Sequence, residues 1–192
     1  VAAGTCTGPE DQTYTEAGVY KVTVEVTDDD GGVGSATATS YIVIFDSSAG
    51  FVTGGGWVDS PAGAFVADDT LEGRANFGFV SKYRRGATVP TGQTEFQFKA
   101  ADLNFHSSSY EWLVVAGQDK AKYKGAGTIN GAGNYGFMLT VQDNGNNGDT
   151  FRVKIWDKDN GDAVVYDNQI LEGDESYAGT VIGGGNIKIH SK

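Results

Sequence analysis

The residues Asp157 to Asp162, DKDNGD, are the best candidate for a metal site in the chain. A Ca²⁺ ion takes about six to eight oxygens, and carboxylates alternating on a glycine-turned loop supply them. Asp157, Asp159 and Asp162 would donate side-chain oxygens, with Asn160 or a main-chain carbonyl completing the set. The spacing resembles the start of a DxDxDG calcium loop. However, Asn-Gly stands where those loops have Asp-Gly, and the later bidentate Glu is missing. A hairpin turn built on Asn-Gly accounts for the same residues more simply. DNGNNGD (143–149) and DDDGG (28–32) carry the same signal in weaker form.

Trp156 is the second feature with chemistry. It alternates with Ile155 and falls on the strand face of Arg152 and Lys154, while Phe151, Val153 and Ile155 take the other. An aromatic ring flanked by two cations suits contact with a sugar or a protein partner. The alternative is that a loop or a second sheet covers this face. Trp112 sits beside Tyr110 and Val114 and reads as core. Trp57 follows three glycines, which are read as a bend or bulge that lets the backbone pass another strand.

Catalytic arrangements are not evident. His106 and His190 are the only histidines, without zinc-ligand spacing around them. His106 stands beside SSSYE, but no nucleophile elbow or third member accompanies it. An acidic chain offers many carboxylate pairs for glycoside hydrolysis, and nothing marks one above another. The reading is of a protein that is not an enzyme, with a hydrolase domain as the remote alternative.

The elements that must position these residues are strands. FMLTV, FRVKI and AVVYD are apolar runs of period two, bounded by Asn, Asp and Gly. The chain has 29 Gly against 3 Pro and is 39% hydrophobic. This composition suits an all-β protein with many turns and little or no helix. Phe77, Phe79, Ser81 and Tyr83 share one strand face. KAKYKGAGTINGAG reads as a short strand, a glycine break and another strand. The net charge of −11 disfavours nucleic acid, which requires clustered Lys and Arg. No apolar run approaches the roughly 20 residues of a membrane-spanning helix. The lone Cys6 cannot form an internal disulfide and reads as an inert surface residue.

GVYKVTVEVTD, DDDGG and SATATSYIVIFD together read as a hairpin, with Tyr20, Val22, Val24 and Val26 on one apolar face. The segment also resembles the C-terminal half of a PKD repeat through Tyr14, Gly18, Tyr20, Val22, Val24, Val26, Asp28 and Gly31. That family is immunoglobulin-like, and its upstream WDFGDG-type motif is absent here. Residues 51–192 resemble a post-COAP-1-type domain of secreted bacterial proteins, through VTGGGW, GRANFGFVSKY, LNFHSSSYEWLVV and FRVKIWDKDNGDAVVYDNQ.

The resemblance implies an extracellular or cell-surface location and no transferable activity. The expected architecture is a partial immunoglobulin-like module over residues 1–46, a linker at 47–50, and an antiparallel, jelly-roll-like β-sandwich over 51–192. The expected role is structural or adhesive, with neighbouring domains or copies of itself as partners. A carbohydrate-binding module directed to polysaccharide is the alternative. The bare apolar row of the hairpin and the terminal NIKIH further suggest strand exchange between chains.

Overall fold

The computed structural model describes residues 13–191; Cys6 lies outside them. The protein is all-β. A hairpin of β1 (Gly18–Thr27) and β2 (Val33–Ile44) comes first. Ten further strands follow: β3 (Gly50–Ser60), β4 (Gly73–Lys82), β5 (Thr91–Phe98), β6 (Leu103–Ala116), β7 (Lys120–Ile129), β8 (Ala132–Gln142), β9 (Thr150–Asp157), β10 (Ala163–Asp167), β11 (Thr180–Val181) and β12 (Gly184–Ser191). They form one antiparallel sheet in the order β10-β9-β8-β7-β6-β5-β4-β3-β12, with β11 beside β9. Each strand from β3 to β10 pairs with the next. The path is therefore a meander rather than the crossed connections of the jelly roll expected from sequence.

The sheet curls until its inner face closes on itself, as in a sandwich. Phe77 of β4 and Phe151 of β9 lie five places apart in the sheet, yet their rings stack at 4.0 Å. Phe79 and Phe96 gather round the same ring, and Tyr166 tilts against Phe96. The alternation read from sequence places these side chains. Phe77, Phe79 and Ser81 are buried together, as are Phe151, Val153 and Ile155. Burying a large aromatic stabilises the fold by about 25 cal/mol per Å² of apolar surface removed from water.

Glycine governs one expectation that fails. Residues 120–133 do not break into two strands, because β7 runs unbroken from Lys120 to Ile129. A Cβ at Gly125 would meet the Ser109 carbonyl and Phe137, and one at Gly127 would meet the His106 carbonyl and Phe105. These glycines let β7 press against β6 where β6 shifts register between Ser107 and Ser109 and again between Tyr110 and Trp112. They mark close approach, not interruption.

The terminal strand is not free. β12 pairs with β3 from Gly184 to Ser191, so NIKIH completes its own sheet. The N–H groups of Ile187 and Ile189, on the edge away from β3, donate to Asp149 Oδ2 at 2.8 Å and Asp143 Oδ2 at 3.3 Å. Both carboxylates come from the loop DNGNNGD. Here the acidic turn caps a sheet edge, which blunts the edge against pairing with another chain. Asp149→Ala leaves the buried Ile187 N–H without its partner and is expected to cost roughly 1–3 kcal/mol. A denaturant melt checks it, and an unchanged midpoint would show that this cap contributes nothing.

The hairpin sits differently from its apolar row. Val19 is 7% exposed and docks at the sheet with Val43 and Tyr41, whereas Val24 and Val26 remain 54% and 51% exposed. Tyr14 covers Tyr20 with ring centroids 4.6 Å apart. The cover therefore reaches the base of the row and stops there. At the foot of β2, Phe45 stacks on Tyr83 at 5.4 Å and ties the hairpin to β4. Among the described residues, β1 and β2 alone make up this second sheet.

Candidate functional site

The outer face of the sheet carries an unusual row for so acidic a chain. Antiparallel pairing aligns Trp112 of β6 with Lys124 of β7, Lys124 with Met138 of β8, and Met138 with Lys154 of β9. One step along, Lys122 aligns with Thr140 and Thr140 with Arg152. Four cations thus stand on one face.

Arg152 and Lys122 lie beneath a strap, the segment Glu172–Tyr177 between β10 and β11. Arg152 is fully buried and holds Asp167 in a two-pronged pair, Nε–Oδ1 at 3.0 Å and Nη2–Oδ2 at 2.8 Å. It also donates to the Gly173 and Glu172 carbonyls, at 2.9 and 2.8 Å. Four hydrogen bonds to protein thus hold the buried guanidinium, and Arg152 does not line the cleft. Its expected role as a contact residue is corrected to that of an internal clamp.

Lys122 is buried too. Its Nζ donates to the Asp174 carbonyl and, at 2.8 Å, to that of Ser176. It also lies 4.6 Å from the Tyr177 ring centre. Burial, and then the Arg152 charge, bring its ammonium down to about 8, against the pull of Asp174 and Glu175. The hairpin leans on the same strap through Tyr41. Burial and then the charges of Asp174 and Glu175 hold the Tyr41 phenol above its ordinary range. Nothing in the sequence pairs Lys122 with Asp174, because 52 residues separate them.

Beside the strap opens a cleft of about 490 Å³ between the hairpin and this outer face. Trp112, Trp156, Met138, Val19, Tyr41 and Val43 supply its apolar wall. Lys124, Lys154, Asp162, Asp174, Thr39 and Ser40 supply its polar groups. The volume falls within the range of small-molecule sites, although the lining is half polar. Trp112, expected in the core, is half-exposed here. Trp156 and Lys154 both line this cleft.

The posture of Trp156 depends on its neighbour across the ladder, Gly136. A Cβ at Gly136 would collide with Cε2, Nε1 and Cζ2 of the indole, so the ring lies over the bare backbone of β8. The indole thus packs against the sheet and also lines the cleft. Lys124 Nζ stands 5.7 Å from the ring centre. Trp57 has no such opening, since it packs on Gly183 and Gly184 beneath Arg74, 4.3 Å away.

The turn 157–162 serves the hairpin between β9 and β10. Asp157 Oδ1 accepts the Asp159 N–H at 3.0 Å, and Asp159 Oδ1 accepts the Asn134 amide at 3.1 Å. Asp162 lies in the cleft wall rather than facing the other two, with φ at +60°. Among the described residues, no group of three or more His, Cys, Asp or Glu gathers as a metal site. Asn160 donates its N–H to the Asp157 carbonyl at 3.2 Å and its own carbonyl accepts from the Ala163 N–H at 3.1 Å. His106 pairs with Glu95 at 3.5 Å, and His190 stacks on Phe51 at 4.1 Å.

No family model, curated protein or solved structure matches this chain. The resemblance to a PKD repeat and a post-COAP-1-type domain rests on the quoted residues alone. The cleft offers aromatic rings, paired charges and hydroxyls.

Proposed function

We propose that this chain is a non-catalytic extracellular module that adheres by holding a saccharide in the cleft between hairpin and sheet. The observation that carries this reading is the Trp156 indole, packed against Gly136 and lining the cleft together with Trp112. Sugar rings present faces of C–H groups that pack on aromatic rings, and rims of hydroxyls that take hydrogen bonds. Trp156 and Trp112 supply the first kind of surface; Lys154, Asp162, Asp174 and Ser40 supply donors and acceptors for the second. The extracellular setting is supported by the sequence resemblance and by the acidic charge, which suits a soluble surface module.

The test is affinity electrophoresis and tryptophan fluorescence against a panel of soluble polysaccharides. Retardation and a fluorescence change are expected for at least one polymer. Trp156→Ala should abolish both while lowering the melting temperature by only a few degrees, since the indole is only partly buried. If Trp156→Ala binds as the wild type does, the cleft is not the site.

A further inference from the structure

We infer that the cleft takes an uncharged saccharide chain of more than one ring, rather than a single sugar or a polyuronate; this rests on the saccharide reading above. The first ground is charge. Each lysine in the lining already has a carboxylate: Lys124 Nζ lies 3.0 Å from Glu111 Oε2, and Lys154 Nζ lies 2.7 Å from Asp174 Oδ1. Asp162 adds a further negative charge. A uronate carboxylate would come up against the negative charge of Glu111, Asp174 or Asp162 beside each lysine, and would approach a chain of net charge −11. An uncharged hydroxyl bonds to these pairs without breaking them. It accepts from the ammonium and donates to the carboxylate, each of which has bonding capacity to spare.

The second ground is length. Trp112 stands on β6, and the Trp156 indole lies over β8, two strands away. At the usual spacing between strands, the two rings sit roughly 10 Å apart. A ligand that touches both must therefore extend beyond one ring. Lys124 and Met138 floor the gap between them.

The third ground is the seat itself. Gly136 leaves the space the indole fills, which makes it a positioning residue for Trp156. Gly136→Ala would push the ring off β8 and into the path of the ligand, with the strand retained.

Fluorescence titration of the full chain with neutral oligosaccharides of one to six units, and with oligouronates, tests this. The neutral series is drawn from whichever of β-glucan, xylan or mannan retards the protein. The longest neutral oligomer is expected to bind at least about tenfold more tightly than the monosaccharide. Its affinity should change by less than about twofold between roughly 0.05 and 0.5 M NaCl. Trp112→Ala should bring the oligomer down to the monosaccharide level, and Gly136→Ala should weaken both while its circular dichroism matches the wild type. Oligouronate binding that falls steeply with salt would overturn the inference and leave the saccharide reading standing. Equal affinity for monomer and oligomer would do the same. Binding of neither class would end both.

Discussion

Arg152→Met is expected to destabilise the protein by roughly 3–5 kcal/mol, the cost of leaving a buried partner charge uncompensated. Asp167 is as buried as Arg152, and its two oxygens face the guanidinium at 3.0 and 2.8 Å. Removing the cation strands that carboxylate and also frees the Glu172 and Gly173 carbonyls. For a domain of this size, the loss corresponds to a fall of about 10 °C in Tm. The double variant Arg152→Met/Asp167→Leu should lie closer to the wild type than Arg152→Met, since an apolar pair of similar volume leaves no charge unpaired. A double variant as unstable as the sum of the single ones would overturn this account. It would mean the strap is held mainly by the carbonyl bonds, not by the ion pair.

Stability is expected to rise as pH increases from about 8 toward 10, and Lys122 is the reason. Its pKa falls from 10.5 to about 8 in the folded protein. Below pH 8 it is protonated in both folded and unfolded chains, and the folded state carries a buried cation. Between the two values the unfolded chain binds a proton that the folded chain does not, so stability increases with pH. That gain is lost as pH drops through 8. At about 1.36 kcal/mol per pH unit, the full difference is roughly 3 kcal/mol. The buried phenols act in the opposite sense higher up. Burial raises Tyr123, Tyr166 and Tyr177, so their contribution is complete below pH 10 and is lost above it. Thermal melts from pH 7 to 11 should therefore pass through a maximum near pH 10. Lys122→Met should flatten the rising limb whatever its cost at neutral pH. A rising limb that persists in this variant would show that another group titrates there.

Much of the sheet was legible along the chain. Period two in FRVKIW placed Phe151, Val153 and Ile155 in the core and sent Arg152, Lys154 and Trp156 to the other face, as the structure has them. The signal is strong because one sheet face is buried, and a shift of one residue would move the whole apolar set into water. The same rule could not say what covers the other face. Arg152 and Lys154 alternate identically, yet one is clamped inside and the other lines a cleft. The difference comes from the strap Glu172–Tyr177, about twenty residues downstream, which lies over Arg152 and ends beside Lys154. Gly136 was equally silent. A glycine in a strand signals close approach but not what approaches, and here it is an indole from the adjacent strand.

By itself the sequence determined the all-β class, the hairpin and the faces of strands such as β4 and β9, because each follows from local alternation and from which residues tolerate a turn. It also determined that cations and a tryptophan share one face of β9. Only the tertiary structure decided that the sheet curls as a meander, that β12 closes on β3, and that the acidic loop 143–149 caps a strand edge. It alone set the hairpin over Trp112 and Trp156 to make a cleft. Those outcomes depend on pairings between residues tens of positions apart. They are selected by the total burial and hydrogen bonding of the whole chain, to which no single segment holds the key.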